Sequence, residues 1–169
     1  MTEKEQGYEN NLKLHQTELR ARLNINLNTD MPEQIKIMKT ILWVNFLVIA
    51  LALQFLKSNP LEDIIEISMF SSSLLGSVFA IITILCAFLR NKYSKGGVWL
   101  EIDVMKRYDE SDTPTITALE HINNVLIRAI KFNNEAITST AKLLTQSNWL
   151  SLFSIAIMLF FAIYKSFFS

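Results

Sequence analysis

The stretch MFSSSLLGSVFAIITILCAFL, residues 69–89, decides the fold class because it carries no charge over 21 residues. A helix needs about 20 consecutive apolar residues to cross the hydrocarbon core of a bilayer. Two more apolar runs, residues 41–56 and 149–164, lie on either side, and uncharged polar neighbours can extend both. A soluble domain of this size rarely carries three such runs, since it must also cover itself with polar surface. We therefore predict three membrane-spanning helices.

The charged residues support this prediction by where they fall. They make up 19% of the chain and lie almost entirely outside the three runs, as expected of a membrane protein. Lys plus Arg equals Asp plus Glu, at 16 each. Because no net field would attract a polyanion, we predict no direct nucleic-acid binding.

The remaining sequence favours further helices. Tyr8, Leu12, Leu19 and Leu23 recur at helical spacing and predict an amphipathic helix over residues 3–24. An Asn-rich turn over residues 24–29 should follow, and Asp30-Met31-Pro32-Glu33 then has the pattern of a helix start leading into the first span. Other local predictions are a helix start at Ser58-Asn59-Pro60, a short helix over residues 98–108, a polar loop over 109–113, and one unbroken helix from Thr115 into the third span.

The predicted fold class is thus all-α, a multi-pass membrane protein with three transmembrane helices, an N-terminal amphipathic helix and a helical cytosolic segment. The expected division is residues 1–29 for the N-terminal helix, 30–95 for a transmembrane hairpin with spans at about 40–57 and 68–90, 96–146 for the cytosolic segment, and 147–169 for the third span.

Basic residues predict the orientation. Lysines and arginines are retained on the cytoplasmic side of a membrane. Lys36 and Lys39 precede the first span, Arg90, Lys92 and Lys95 follow the second, and Lys142 precedes the third. We expect a cytoplasmic N-terminus, an outer C-terminus and a bacterial inner-membrane location, with Lys165 snorkelling to the outer surface.

No pattern typical of an enzyme site is present. The sequence lacks a Gly-rich phosphate loop, a metal-ligand spacing and a nucleophile elbow. The three spans hold no ionisable group that could drive intramembrane chemistry or proton coupling. His15, His121 and Cys86 each stand alone, and Cys86 is expected to pack as a small apolar residue. We predict no enzymatic activity, no cofactor and no bound metal.

The spans do contain neutral polar and small residues, among them Ser151 and Ser154 in the third span. Ser72, Gly76 and Ala80 form a row of small residues that would let helices approach closely, and side-chain amides and hydroxyls can hydrogen-bond across such contacts. Two interpretations stay open: packing within one subunit, or self-association as a dimer to tetramer around a polar seam that could line a pore. The candidates for an oligomer-facing or pore-facing surface are Asn45, Gln54, Ser72, Ser73, Gly76, Ser77 and Ala80.

The long helix after Thr115 carries an apolar stripe that could dock a cytosolic partner. The docking candidates are Leu119, Ile122, Leu126 and Ile130. Two asparagine pairs, Asn123-Asn124 and Asn133-Asn134, lie beside the stripe. They could fix helix register, hydrogen-bond a ligand, or simply be solvated.

The order of elements, together with Asn134-Glu135 and Ala141-Lys142-Leu143-Leu144 before the last span, resembles the small transmembrane effectors of bacterial anti-phage systems, especially the Pycsar transmembrane effector family. This resemblance implies a response to a nucleotide second messenger followed by membrane disruption. It assigns no ligand-binding residue.

Two functions are therefore expected. The first is an oligomeric inner-membrane effector that perturbs or permeabilises the membrane in response to a cytosolic cue in anti-phage defence. The alternative is a non-conducting membrane scaffold subunit that docks a cytosolic protein through its inner helices. Expected partners are the lipid bilayer, further copies of the chain, and either a cytosolic protein or a nucleotide second messenger. A phage holin is a weaker third interpretation, because the cytosolic segment is large for that role.

Overall fold

The computed structural model describes residues 3–58, 61, 63–93 and 115–168. Within these ranges the chain is helical except for the connection that precedes Ile64, and no strand occurs. The helices are α1 (Glu3–Ile25), α2 (Met31–Ser58), α3 (Ile64–Tyr93) and α4 (Thr115–Phe168), and a π-helical segment (Asn26–Asp30) joins α1 to α2.

Three helical stretches in the described part of the chain are long and apolar enough to cross a membrane. They are Glu3–Lys57, Ile64–Arg90 and Thr115–Phe167. Large apolar side chains such as Leu47, Leu85 and Phe153 stay more than half exposed on them, which suits helices whose outer faces meet lipid. The predicted all-α fold with three candidate spans is confirmed.

The π-helical segment replaces the turn that we predicted over residues 24–29. Asn26 and Met31 are both buried although five residues separate them, one more than an α-helical turn allows on the same face. A π-helix closes its hydrogen bonds over five residues and takes up the extra residue without breaking the helix. This stretch holds no Gly or Pro, and no described residue has a positive φ, so the local sequence contains no strong helix breaker.

The long helix from Thr115 into the third span is also confirmed, since α4 runs without interruption over 54 residues. The helix that holds the second span begins at Ile64, later than the start predicted at Ser58-Asn59-Pro60 and four residues before the predicted span at about 68–90. Asn59 and Pro60, the expected helix over residues 98–108 and the loop over 109–113 lie outside the described residues.

The chain divides into two compact units. The amphipathic unit comprises residues 1–33 and 90–139, and its described core is formed by α1 and the first part of α4. The span unit comprises residues 34–89 and 140–169, with α2, α3 and the last part of α4.

Buried positions in the span unit alternate at spacings of three and four residues along each helix. This 3.5-residue repeat is typical of helices wound around one another with a left-handed twist. The buried positions in this repeat are Gln34, Met38, Ile41, Asn45, Val48 and Ala52 on α2, Glu66, Phe70, Ser73, Ser77, Ala80, Ile84 and Ala87 on α3, and Thr140, Leu144, Ser147, Ser151, Ser154 and, seven residues on, Phe161 on α4. Gly76 is buried beside the repeat on α3.

These buried positions form layers along the span unit. One apolar layer is centred on Met38, Ile84 and Leu144. A second is centred on Phe161, whose ring meets Phe55 edge-on at a centroid distance of 5.2 Å. Between the two layers in sequence lie the asparagine and serines of the repeat. The fold therefore places a polar layer between two apolar ones.

Candidate functional site: a polar layer between the spans

Ser154 of α4 lies at the centre of the polar layer. Its Oγ is 2.6 Å from Oγ of Ser77 and 3.2 Å from Oγ of Ser73, and all three residues are fully buried. The Ser73 hydroxyl donates to the Ser154 carbonyl at 2.8 Å, and the Ser154 hydroxyl donates to the Ser73 carbonyl in return. This reciprocal pair joins α3 to α4 through side chain and backbone.

Asn45 joins α2 to the same layer. Its Nδ2 donates to Oγ of Ser151 at 2.7 Å and to the Ile41 carbonyl of its own helix at 2.8 Å. Ser147, one turn before Ser151 on α4, donates to the Ala80 carbonyl at 2.9 Å. The layer thus hydrogen-bonds all three helices of the span unit.

Asn45 Oδ1 is the exception in this layer, since it has no hydrogen-bond partner among the described residues. Thr140 Oγ, elsewhere in the span unit, is likewise buried without one. Polar atoms left unpaired at membrane depth are costly, because lipid offers no replacement for water. The layer therefore retains an unused acceptor for a water molecule or a donor side chain.

Gly76 lets α3 and α4 approach each other. A Cβ atom added at residue 76 would lie 3.3 Å from Cβ of Ser154 and 3.5 Å from the Leu150 carbonyl oxygen. The first distance is shorter than ordinary carbon–carbon contact. The missing side chain is what permits the short serine hydrogen bonds beside it.

An ion pair lies beyond the second apolar layer. Nζ of Lys165 is 2.9 Å and 3.1 Å from the two carboxylate oxygens of Glu66, and the side chains are 13% and 4% exposed. Next to it, the Tyr164 hydroxyl donates to Asp63 Oδ2 at 3.2 Å. We had expected the Lys165 side chain to snorkel to the outer surface. In the structure the Glu66 carboxylate of α3 binds its ammonium group instead.

The structure brings together five of the seven predicted oligomer-facing or pore-facing residues: Asn45, Ser73, Gly76, Ser77 and Ala80 are all buried within one chain. Ser72 is half-buried and Gln54 is exposed. Hydrogen bonds or close contacts join all five to α4 of the same chain. Self-association around this layer stays a prediction.

The contribution of α4 to the polar layer was not predicted from the sequence. Ser151 and Ser154 were recognised as polar residues of the third span but were not included among the candidates, and the Glu66–Lys165 pair was not foreseen. The 3.5-residue spacing of Ser147, Ser151 and Ser154 on α4 is the signal that could have found this face.

The predicted docking face on α4 needs a correction. Leu119, Ile122 and Leu126 are buried, Ile122 and Leu126 form one cluster with Leu19 and Leu23 of α1, and Ile130 packs against that cluster. The apolar stripe is covered by the chain's own N-terminal helix, because both helices present apolar faces that must leave water. Within the described part of the chain, three of the four docking candidates are therefore buried, and Ile130 is half-buried.

Asparagines lie beside this cluster in the amphipathic unit. Asn26 Nδ2 donates to Asn134 Oδ1 at 2.9 Å, and Asn123 Nδ2 donates to the Leu12 carbonyl at 3.2 Å. Asn133 is fully buried, and neither of its amide atoms has a hydrogen-bond partner among the described residues. The asparagines set the alignment of α1 on α4 but leave part of their hydrogen-bonding capacity unused.

At the far end of α1, the Tyr8 hydroxyl donates to Glu120 Oε1 at 2.6 Å. This hydrogen bond raises the pKa of Tyr8 above its usual value, and the nearby carboxylate charge adds to the shift. The bond joins the start of α1 to α4.

Other candidate chemistry stays unassigned. Cys86 is exposed on α3 rather than packed in the interior. Among the described residues, no three His, Cys, Asp or Glu side chains come close enough to hold a metal ion. In comparisons with family models, curated proteins and solved structures, nothing matched this chain.

Proposed function

We propose that this chain is an oligomeric effector of the bacterial inner membrane that permeabilises the membrane when a cytosolic cue acts on its amphipathic unit, in the context of anti-phage defence. The observation that carries the proposal is the buried layer of hydroxyls and one amide in the middle of the span unit. The part of this proposal that concerns anti-phage defence is supported only by the resemblance to the small transmembrane effectors.

The polar layer supports this function because its bonds can be exchanged. Hydroxyl–hydroxyl bonds between membrane helices contribute little net stability, on the order of 0.6 kcal/mol each, since alternative partners satisfy the same groups. Serines of neighbouring copies, or water, would serve as such partners. Helices that separate along this layer would expose Ser73, Ser77 and Ser154 as a hydrophilic lining, whereas an all-apolar interface would offer none.

The amphipathic unit is a suitable place for the cue to act. Its helix contact relies on a small apolar cluster and leaves Asn123 Oδ1 and both amide atoms of Asn133 without a hydrogen-bond partner among the described residues. Unpaired buried amides lower the stability of a contact. A protein or a nucleotide second messenger that offers hydrogen-bond partners to these amides would compete with the closed packing.

The first test replaces the polar layer. Cells expressing the chain are assayed for membrane potential with a voltage-sensitive dye, and the triple variant Ser73→Ala, Ser77→Ala, Ser154→Ala is compared with Ser71→Ala, which changes an exposed serine. We expect depolarisation by the unchanged chain and by the control, and its loss in the triple variant. Equal depolarisation by all three would refute the role of the layer.

The second test mimics the cue. Leu126→Asp places a charge in the centre of the α1–α4 cluster, where Leu126 is fully buried, and should open the amphipathic unit without a trigger. The matched change Ile127→Asp lies on the exposed side of the same helix. Depolarisation should rise with Leu126→Asp alone. If neither variant depolarises cells that contain stable, membrane-inserted protein, the effector proposal is wrong.

The scaffold alternative would give a different result. A scaffold should leave the membrane potential unchanged and co-purify with a cytosolic protein, and its docking stripe would become free only after α1 is displaced from Ile122 and Leu126. Co-purification that increases in a chain lacking residues 1–25, with no depolarisation, would favour it.

A further inference from the structure

The charged side chains of the span unit are divided sharply between its two ends. Lys36, Lys39 and Lys142 lie at the end of the apolar layer formed around Met38 and Leu144. The acidic residues described in this unit, Asp63 and Glu66, lie at the other end, beside Lys165. One end of the unit is therefore purely basic within the part of the chain that the structure describes.

A groove of about 410 Å³ opens at the basic end and is lined by Lys39, Leu42, Trp43 and Phe46. These residues follow at spacings of three, four and seven, so they share one face of α2. Trp43 is 77% exposed. The groove combines a cation, an amphipathic aromatic ring and an apolar floor, and its volume is within the range of small-molecule sites, about 300–1,000 Å³.

We propose that this groove binds an anionic phospholipid, with Lys39 on the phosphate, Trp43 at the level of the glycerol backbone, and Leu42 and Phe46 against the upper acyl chain. Lysine and tryptophan take these positions at membrane interfaces for physical reasons: the ammonium stays with anionic headgroups, and the indole joins an apolar ring to a polar N–H.

The spacing along α2 fits a lipid lying beside the helix. Seven residues separate Lys39 from Phe46, which is about 10 Å along an α-helix at 1.5 Å per residue. The cation is thus at one end of the groove and the apolar floor at the other. Charge complementarity selects the lipid class, because the described lining of the groove offers a headgroup the Lys39 ammonium and contains no carboxylate.

This site requires only that α2 cross a bilayer, and it does not depend on permeabilisation.

The test uses the full chain carrying Trp99→Phe and Trp149→Phe, so that Trp43 is the one remaining tryptophan. The protein is reconstituted in phosphatidylcholine vesicles that contain a minority of phosphatidylglycerol, and either lipid carries bromine on its acyl chains. Bromine quenches only a tryptophan in contact with that lipid.

We expect brominated phosphatidylglycerol to quench Trp43 more than its share of the vesicle predicts, by roughly fivefold in local enrichment for one lysine near the anionic surface. Lys39→Gln should return quenching to the bulk share, and raised salt should lower it. Lys57→Gln, at the opposite end of α2, should keep the enrichment. Circular dichroism checks that each variant remains helical.

Two outcomes would overturn the assignment. One is equal quenching by the two brominated lipids in the parent protein. The other is an enrichment that survives Lys39→Gln but is lost in Lys142→Gln, which would assign the phosphate to Lys142 instead of Lys39.

Discussion

Removing Lys165 should destabilise the span unit more than removing Lys165 and Glu66 together. The two side chains form a bidentate pair at 2.9 Å and 3.1 Å and are 13% and 4% exposed. Lys165→Met leaves the Glu66 carboxylate buried without its counter-ion. The double variant Glu66→Met, Lys165→Met removes both charges and fills the same space with apolar atoms.

The burial sets the expected magnitude. Breaking one partner of a buried pair costs about 3–5 kcal/mol, whereas replacing both by apolar residues of similar volume is close to neutral. Lys165 retains some exposure, so we expect the lower end, about 3 kcal/mol, for Lys165→Met. The double variant should stay within about 1 kcal/mol of the unchanged protein.

The free energy of unfolding is measured by titrating the detergent-solubilised protein with SDS and following its helical circular dichroism. Lys57→Met, an exposed lysine at the same end of the span unit, is the matched control and should change stability by less than about 0.5 kcal/mol. If Lys165→Met behaves like this control, Lys165 snorkels to solvent and the ion pair contributes nothing.

Three further predictions concern single residues. Gly76→Val should lower the free energy of unfolding by about 1–3 kcal/mol, because even a Cβ would lie 3.3 Å from Ser154 Cβ; the SDS titration measures this, and an unchanged midpoint would contradict the close contact. Asn133→Leu should raise the free energy of unfolding by about 1–3 kcal/mol, since it removes a buried amide that has no hydrogen-bond partner in the described part of the chain; a loss of stability would mean that Asn133 is paired. The hydrogen bond to Glu120 raises the pKa of Tyr8, so the stability that this bond contributes is present below the usual pKa of 10.0 and is lost as the pH rises through the higher pKa of the folded state. Thermal melts across this pH range should show a pH dependence of stability that Tyr8→Phe abolishes. An identical pH dependence in both proteins would exclude this bond as its source.

The helices themselves were accessible to sequence analysis. The runs at 41–56, 69–89 and 149–164 are apolar and uncharged over a length that matches a bilayer, and this property needs no knowledge of neighbours. The amphipathic helix was equally predictable from the sequence, since Leu19 and Leu23 lie one helical turn apart. The π-helical segment was not predictable in this way, because asparagines favour turns locally and only burial of Asn26 and Met31 holds them in a helix.

The candidate site was only half predictable. Asn45, Ser73 and Ser77 could be picked out because polar residues are unusual in a span. Their partner Ser154 was noticed but not joined to them, since the rotation of one helix against another depends on the packing of every residue along the contact. The prediction of an open docking stripe was wrong for a related reason. An apolar face indicates that another surface covers it, but the sequence did not identify α1 as that surface.

Composition along the chain determined by itself that this protein is built of helices long and apolar enough for a membrane, because lipid affinity is a sum over consecutive residues. Tertiary structure alone decided that the serines close on one another and that Glu66 meets Lys165. Those contacts join residues 77 to 99 positions apart, and their distances follow from how the helices pack.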